Sequence, residues 1–448
     1  MHIVYQNKIP WGYKDGFTQN VLMTQEEFSN EHPVVNFYPD VTGQTLEGFG
    51  GTVTQSVGYI YSLMEEPLKK KLIHTYFSPE EMNYRVVRVN LDSCDACLGI
   101  YEAVSDPEDT ELERFTFEMT DRYIIPFLEA AREERNGDLA LMLSPWSPPA
   151  FMKTNNDRRN GGHLKPEFRT MWAKILCRYV KEFRKRGFWV QRISVQNESN
   201  AVQVWDSCVY TAQEEKIFVR DHLAPEMKAQ GLTDVELFIW DHNKERLYER
   251  VCETVDETTR DMIDGAAFHW YSGDHFEALD LVRRKYPELK LISSENGLEF
   301  RVNSPDKVEA VPFRAVHEII GNLNRGMTAF YEWALLFDAQ GGPNYVGNYC
   351  SASHHYDTEA KRLLPQPIQK TYWLLSHFLV AGSVWIATSS YSDEVEFAAF
   401  RRPDGDIAAV AVNRGKEDQP LTIRMEGKGG SLILPARSIG ICLIRDET

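Results

Sequence analysis

The stretch Phe188-Trp-Val-Gln-Arg-Ile-Ser-Val-Gln-Asn-Glu198 predicts a strand that leaves a buried interior and ends on a carboxylate. Apolar and β-branched residues recur between Val190 and Val195, which is typical of a strand covered on both faces. The strand then stops in a run of five polar residues that ends at Asn200. Barrel enzymes place catalytic acids at such strand ends, although a hydrophilic turn would give the same residues.

A second stretch of the same form favours the catalytic interpretation. Leu289-Lys-Leu-Ile-Ser-Ser-Glu295-Asn296 also begins as an apolar strand and also finishes on a glutamate followed by an amide. One polar strand end has an even chance of being a turn. Two of them, each closing a buried strand, predict a pair of acids presented by one scaffold.

Strands and helices alternate on both sides of these two stretches. The clearest helix runs from Pro166 to Gly187, where apolar residues keep a single 3.6-residue face and the proline and glycine suit its two ends. The alternation implies parallel strands, and eight strand–helix units over roughly 300 residues predict a (β/α)₈ TIM barrel of the α/β class. The eight strand candidates are residues 46–53, 84–90, 139–144, 190–196, 235–240, 265–271, 289–295 and 326–333.

The pattern changes after residue 381. Short strand-like runs separated by Pro403-Asp-Gly405, Asn413-Arg-Gly415 and Gly427-Lys-Gly-Gly430 are typical of a small antiparallel sandwich. Strands also precede the barrel, and completing that sandwich is their simplest use. We therefore predict a catalytic barrel over residues 46–381 and a β-sandwich side domain built from residues 1–45 and 382–448.

Composition limits the classes of partner. The net charge is −17, the chain is 43% hydrophobic and 26% charged, and no basic cluster stands out. These values argue against nucleic acid or anionic membranes as partners. No apolar run is long enough to insert in a membrane, and no secretory signal is apparent, so we expect a cytoplasmic protein. Seven scattered cysteines suit reduced thiols, and Cys94 and Cys97 are interpreted as ordinary cysteines.

Two glutamates, Glu198 and Glu295, end strands four and seven, which lie on opposite sides of an eight-stranded barrel. Their side chains can converge over its mouth, and two convergent carboxylates flanked by aromatic and amide groups suit cleavage of a glycosidic bond. Arg88 is a fixed cation that would keep a carboxylate ionised, and Asn197 can bind a sugar hydroxyl. Taken singly, Asp95 could cap a turn, His269 could be a core histidine, Trp270 is expected in the core, and Trp146 or Trp333 could stack on a pyranose.

These residues also carry a resemblance to the glucosylceramidase-type members of glycoside hydrolase family 30. The segments that match follow the family's order over almost the whole barrel. They are Gly48-Phe-Gly-Gly51, Tyr84-Arg-Val-Val-Arg88, Ser93-Cys-Asp95, Ser144-Pro-Trp-Ser-Pro-Pro149, Met152-Lys-Thr154, Gln196-Asn-Glu198, His269-Trp-Tyr271, Ser294-Glu295-Asn296 and Gly341-Gly-Pro-Asn344.

The resemblance implies that Glu198 is the acid/base and Glu295 the nucleophile of a retaining enzyme, with carboxyls about 5–5.5 Å apart. It implies a role in carbohydrate or sphingolipid metabolism. It also implies a sugar-binding subsite formed by Arg88, Asp95, Trp146, Asn197, His269, Tyr271, Trp333 and Asn344. Two departures stand beside this match, since Ser199 replaces the proline that usually follows the acid/base and Gln55 replaces an aspartate after the glycine-rich strand.

The predicted function is therefore a retaining β-glycosidase, β-glucosidase- or glucosylceramidase-like, with a β-linked oligosaccharide or glycoside as substrate. β-Xylosidase, β-fucosidase and endo-β-1,6-glucanase are alternatives on the same scaffold. A metal-dependent hydrolase using His242, His269 and His275 lacks a tight ligand motif, and a non-catalytic carbohydrate-binding protein would not need both glutamates. No cofactor or metal is expected. We also expect burial and the charge of Glu295 to raise the pKa of Glu198.

Overall fold

Eight parallel strands close into a barrel in the computed structural model, which describes residues 1–7, 16–25, 33–299 and 310–445. All eight predicted barrel strands are confirmed, with ends shifted by a few residues. In chain order they are β1 Gly48–Val53, β2 Val86–Leu91, β3 Ala140–Pro145, β4 Trp189–Ser194, β5 Glu236–Asn243, β6 Gly265–His269, β7 Lys290–Asn296 and β8 Met327–Glu332.

Helices surround the barrel on its outer face. They are α1 Gln55–Leu63, α2 Glu66–Phe77, α3 Ile125–Glu134, α4 Arg169–Lys185, α5 Ala212–Phe218, α6 Ala224–Ala229, α7 Leu247–Thr254, α8 Phe276–Lys285, α9 Ala310–Leu323 and α10 Pro367–Phe378. A π-helical turn at Val219–Leu223 lies between α5 and α6, and α6 then starts with a proline in its first turn. A proline lacks the amide hydrogen that a continuous helix needs at that place.

The barrel interior is filled by side chains, so the barrel has no pore through its middle. Six of the eight strands contribute to the buried cluster Val86, Ala140, Met142, Phe238, Ala267, Ile292, Ala329 and Tyr331. Gly50 on β1 has no space for a side chain, because a Cβ there would lie 1.6 Å from the carbonyl oxygen of Val86. Glycine at this point lets β1 and β2 approach closely enough to pair.

A ten-stranded sheet forms the second unit of the fold and encloses a separate apolar core. It combines strands from the N-terminal segment with strands that follow the barrel, as predicted. All of its pairings are antiparallel except that of Gln419–Met425 with Val34–Thr45, which is parallel. In spatial order the strands are Thr18–Leu22, His2–Asn7, Ser438–Arg445, Ile407–Asn413, Val395–Arg401, Val384–Ser390, Val34–Thr45, Gln419–Met425, Lys428–Leu434 and Thr24–Gln25.

Two small sheets lie in the connections after β7 and β8. Leu298–Glu299 pairs with Cys350–Ser351, and Leu336–Asp338, His354–Asp357 and Arg362–Pro365 form a three-stranded sheet. No helix among the described residues is long and apolar enough to cross a membrane. No disulfide links the cysteines, and the Sγ atoms of Cys94 and Cys97 lie 3.7 Å apart.

Candidate active site

The carboxyl ends of the barrel strands meet around a single buried arginine. The guanidinium of Arg88 on β2 donates from Nη1 to Oε2 of Glu295 at 2.5 Å, and from Nη2 to Oδ1 of Asn197 at 2.7 Å. The same Nη2 donates to Oδ2 of Asp241 at 2.9 Å, and Nε donates to Oγ of Ser144 at 3.1 Å. Arg88 is completely buried, so these groups replace water around its charge.

Glu295 ends β7 with both carboxylate oxygens engaged. Oε2 accepts from Arg88, and Oε1 accepts from the phenolic hydroxyl of Tyr271 at 2.8 Å. The Tyr271 oxygen in turn accepts the backbone N–H of Gly297 at 3.0 Å, which fixes the ring. The cation and the donor hydroxyl together hold the carboxylate in a defined direction.

Glu198 follows β4 in a left-handed backbone conformation, with φ of +48°. Its backbone N–H donates to the carbonyl oxygen of Asp241 at 2.7 Å. Ser199, the first departure from the family pattern, donates from Oγ to the carbonyl oxygen of Trp240 at 3.1 Å. A proline there could not make this bond, so the serine ties the loop after β4 to the end of β5.

Two imidazoles face the Glu198 carboxylate. Oε1 lies 3.5 Å from Nδ1 of His269 and 3.6 Å from Nδ1 of His242. Burial alone would raise the pKa of Glu198, but its contacts with these two rings outweigh burial and lower the pKa below its usual range. The expectation that burial and Glu295 would raise this pKa is therefore wrong, because it did not include the histidines.

The proton near Glu198 is held on the imidazole of His269. Burial acts to lower the pKa of His269, but the charge of Glu295 and the contacts with Asp241 and Glu198 raise it to about 9. His269 Nε2 lies 3.1 Å from Oδ1 of Asp241. The carboxylate and the imidazole thus form a coupled pair that titrates together.

Asp241 at the end of β5 is the central acid that sequence reasoning missed. Its Oδ1 accepts from Oγ of Ser294 at 2.6 Å, and its Oδ2 accepts from Oγ of Ser194 at 2.7 Å. Burial would raise its pKa, but the charge of Arg88 and the hydrogen bond to His269 lower it. The signal was present in the sequence, since Asp241 directly follows an apolar strand, as Glu198 nearly does.

Asp95 lies on the other side of the pocket. Its Oδ2 accepts from the amides of Asn344 at 3.0 Å and Asn348 at 3.1 Å. Burial and the charge of Glu295 raise the pKa of Asp95 to about 7, although the two amide hydrogen bonds act to lower it. Gln55, the second departure, accepts the backbone N–H of Leu98 at 2.8 Å and so anchors the loop that carries Asp95.

Aromatic rings form part of the wall of the pocket. The ring centroids of Trp146 and Trp333 are 5.6 Å apart, and the guanidinium carbon of Arg88 lies 4.6 Å from the Trp146 ring. Trp270 is buried, as expected for a core residue. The pocket has a volume of about 280 Å³, which suits one sugar ring with part of an aglycone. Its lining residues are Asp95, Trp146, Asn197, Glu198, Gln203, Trp205, His242, Asn243, Tyr271, Glu295, Gly297, Trp333, Asn348 and Cys350.

The ten site residues predicted from the sequence divide into two groups. Seven line the pocket, whereas Arg88, His269 and Asn344 contact lining residues from behind. His242 and His269 come together at Glu198, but His275 lies at the start of α8 with its Nδ1 3.5 Å from Glu277. Sequence reasoning missed the lining residue Asn243 at the end of β5. It also missed Gln203, Trp205 and Asn348, which lie on loops whose paths no local pattern predicts.

Comparisons with known proteins agree with this architecture. The family description "Glycosyl hydrolase family 30 TIM-barrel domain" matches residues 46–379. The description "Glycosyl hydrolase family 30 beta sandwich domain" matches residues 382–440.

Among individual proteins, the crystal structure of SrfJ from Salmonella typhimurium superposes with a TM-score of 0.95 at 33% identity, covering 100% of both chains. The mouse lysosomal acid glucosylceramidase is 29% identical over 412 residues, which are 87% of this chain and 79% of that protein. An endo-1,6-β-D-glucanase of Neurospora crassa is 21% identical over 412 residues, which are 88% of this chain and 83% of that protein.

Proposed function

The chain belongs to glycosyl hydrolase family 30, and on that premise we propose that it is a retaining β-glycosidase acting on a terminal β-linked sugar. One observation carries this function. Glu198 follows β4, Glu295 lies near the end of β7, and both line the same pocket, in which Arg88 and Tyr271 hold the Glu295 carboxylate. Two acids with unlike surroundings in one sugar-sized pocket are the equipment of a double displacement.

In the first step, the Glu295 carboxylate attacks the anomeric carbon and forms a glycosyl ester. The bond from that carbon to the leaving oxygen breaks, and the oxygen takes a proton from Glu198. The proton comes from the Glu198–His269 pair, whose 3.5 Å separation is close enough for transfer as the leaving oxygen approaches. Asp241 stabilises the imidazolium before transfer, as a carboxylate orients a catalytic histidine.

In the second step, water attacks the same carbon. Glu198, now a carboxylate, accepts one proton from the water, the oxygen of the water bonds to the anomeric carbon, and the Glu295 carboxylate leaves. Two inversions retain the β-configuration. We propose the same subsite as the resemblance implies. Asp95, Asn197 and Tyr271 would bind hydroxyls, Trp146 and Trp333 would pack against the ring, and Asn344 would hold Asp95 in place.

For the sugar and aglycone we propose a β-glucosidase of the glucosylceramidase-like kind, supported by the name of the mouse relative. The second candidate is an endo-β-1,6-glucanase, which the name of the Neurospora relative favours.

A panel of nitrophenyl β-glycosides (gluco, xylo, fuco and galacto) beside a series of β-1,6-linked glucans separates these substrates. Proton NMR of the first product distinguishes retention from inversion. A 2-fluoro-glycoside should label Glu295, as seen by peptide mass spectrometry. Glu295→Gln should lower kcat on the order of 10⁴-fold or more, and Glu198→Ala should spare activated leaving groups. Normal turnover by Glu295→Gln, or an α-configured first product, would overturn the assignment.

Three sequence-based predictions stay predictions. They are the domain division into residues 46–381 and residues 1–45 with 382–448, the cytoplasmic location, and the absence of a required metal or cofactor. Residues 8–15, 26–32 and 446–448 of the second domain lie outside the described part of the chain. Limited proteolysis with mass spectrometry would test the division, and turnover in the presence of a chelator would test the metal independence.

A further inference from the structure

Three metal-ligand atoms from three different strand ends face one another in the pocket. They are Oε1 of Glu198, Nδ1 of His242 and Nδ1 of His269, and the ligand atoms of these residues all lie within 4.8 Å of one another. The Nδ1 atoms are buried and make no hydrogen bond with any described residue. Buried polar atoms are normally satisfied, so two orphaned nitrogens beside one carboxylate indicate a missing partner.

The bonding of His269 leaves one nitrogen for a cation. Its Nε2 lies 3.1 Å from Asp241, whose carboxylate also accepts from Arg88, so Nε2 carries the hydrogen that this bond needs. A metal ion would displace the second proton of the ring, and the lone pair left on Nδ1 would point toward the Glu198 carboxylate. A carboxylate behind a ligating histidine is also the usual arrangement at protein metal sites, where it fixes the ring and makes it a better ligand.

The spacing fits a small ion. Tetrahedral or trigonal coordination at 2.0–2.1 Å separates two ligand atoms by roughly 3.3–3.6 Å. The two distances from Glu198 Oε1 are 3.5 and 3.6 Å. An ion equidistant from all three atoms would lie roughly 2.4 Å or less from each, so side-chain shifts of a few tenths of an ångström would complete the site. Two imidazoles and one carboxylate favour zinc-like ions over magnesium or calcium.

We propose that Glu198, His242 and His269 form a binding site for a borderline divalent cation such as Zn²⁺, and that the bound ion inhibits hydrolysis by occupying the acid/base carboxylate. Glu198 and His242 line the pocket, so the ion can enter by the route that the sugar takes. The inhibition rests on the proposed acid/base role of Glu198, whereas binding of the ion does not.

The test measures binding without substrate. The full chain, stripped with EDTA and dialysed, is titrated with ZnCl₂ against a chromophoric chelator, and with CoCl₂ while its visible absorption is recorded. We expect one ion per chain and cobalt bands typical of low coordination number. His242→Gln and Glu198→Gln should each weaken binding by at least about 10-fold. His275→Gln is the matched control, because His275 contacts Glu277 on α8, and it should bind like the wild type.

Thermal unfolding is a second measurement of binding, for the case in which a variant folds poorly. Zn²⁺ should raise the Tm of the wild type and of His275→Gln, and should leave the Tm of the other two variants unchanged. In nitrophenyl glycoside hydrolysis, Zn²⁺ should inhibit the wild type and EDTA should restore its rate. No binding up to about millimolar Zn²⁺, wild-type affinity in His242→Gln, or full turnover by the zinc-loaded chain would each overturn the proposal. A metal-free chain that hydrolyses no glycoside would count against the proposed function. The metal titration would still test the binding site, because it uses no substrate.

Discussion

The two ends of the barrel each enclose a fully buried arginine, and the charges around these arginines differ. At the end of the barrel opposite the pocket (the closed end), Arg192 on β4 lies 2.6 Å from Glu47 and 3.0 Å from Glu236. Lys290 bonds to both of these glutamates. Two cations therefore match two anions. At the pocket end of the barrel (the open end), Arg88 on β2 and the imidazole of His269 face Asp241, and Arg88 also faces Glu295. Glu198 and Asp95 contribute further carboxyls to the same pocket.

This difference suits the closed end to stabilising the fold and the open end to proton transfer. Balanced pairs keep protons in fixed places, and burial of Glu47 is outweighed by Arg192 and Lys290, which lower its pKa. At the open end, burial and then the charge of Glu295 raise the pKa of Asp95 to about 7, and the surrounding carboxylates raise that of His269 to about 9 against the effect of burial. Groups that titrate near neutrality are those that can pass a proton during turnover. Matched changes at the two ends test this division.

The largest expected difference is between Arg88→Lys and Arg192→Lys. A lysine keeps the charge but cannot make the four bonds by which Arg88 holds Glu295, Asn197, Asp241 and Ser144. We expect kcat/KM to fall by about 10²–10³-fold in Arg88→Lys. In Arg192→Lys, kcat/KM should stay within about twofold of the wild type, while each variant loses about 1–3 kcal/mol of unfolding free energy. Steady-state kinetics and urea unfolding measure the two effects, and equal loss of activity at both ends would reject the division.

The second expected effect is an alkaline limit on activity. The pKa of His269 is raised to about 9, so the proton shared with Glu198 is retained below that pH and lost above it. The kcat/KM should therefore fall as pH rises through about 9. In His269→Gln we expect kcat/KM to drop by about 10²-fold at pH 7. The alkaline limb of its pH profile should move toward acid by at least about one pH unit. The pH profile of His275→Gln serves as the control, and an unmoved limb in His269→Gln would contradict the shared proton.

The third expected effect concerns acid stability at the closed end. Because the pKa of Glu47 is lowered in the folded chain, its contribution is present above its ordinary value of 4.5 and is lost as pH falls through the folded pKa. Glu47→Gln should lower the unfolding free energy by about 1–3 kcal/mol at pH 7. This deficit should shrink below pH 4.5, with kcat unchanged. The comparison variant is Asp138→Asn, which removes an exposed ion pair with Arg85. A pH-independent deficit in Glu47→Gln would exclude the charge as its cause.

The smallest expected effect is that of Lys290→Gln. The side chain of Lys290 is 39% exposed, so water can replace much of what its bonds to Glu47 and Glu236 supply. We expect a loss of about 1 kcal/mol or less in unfolding free energy and no change in kcat or KM. Thermal and urea unfolding measure the loss. A larger loss would mean that the balance of charge at the closed end depends on this exposed cation more than on Arg192.

The sequence predicts the barrel well because its strands carry a local signal, namely short apolar runs between helices. The ends at Glu198 and Glu295 were found for the same reason, since each is a polar residue just after such a run. Asp241 was missed as the acid that joins Arg88 to His269, because its partners come from five other strands. The predicted direction of the pKa shift of Glu198 was wrong for a similar reason, because His242 and His269, which lower this pKa, are distant from Glu198 in the chain.

The loop after β4 and the last residues of β5 hold each other in place. Glu198, Trp240 and Asp241 all have positive φ, at +48°, +73° and +45°, and the backbone N–H of Trp240 is accepted by the buried Glu215 at 3.0 Å. Backbone in this region costs of order 1–3 kcal/mol at each such residue, and the bonds from Glu198 and Ser199 to the Asp241 and Trp240 carbonyls offset part of that cost. For protein engineering, the acid is therefore not a transferable side chain. A graft onto another barrel would need to transfer the loop after β4, the end of β5 and Glu215 together.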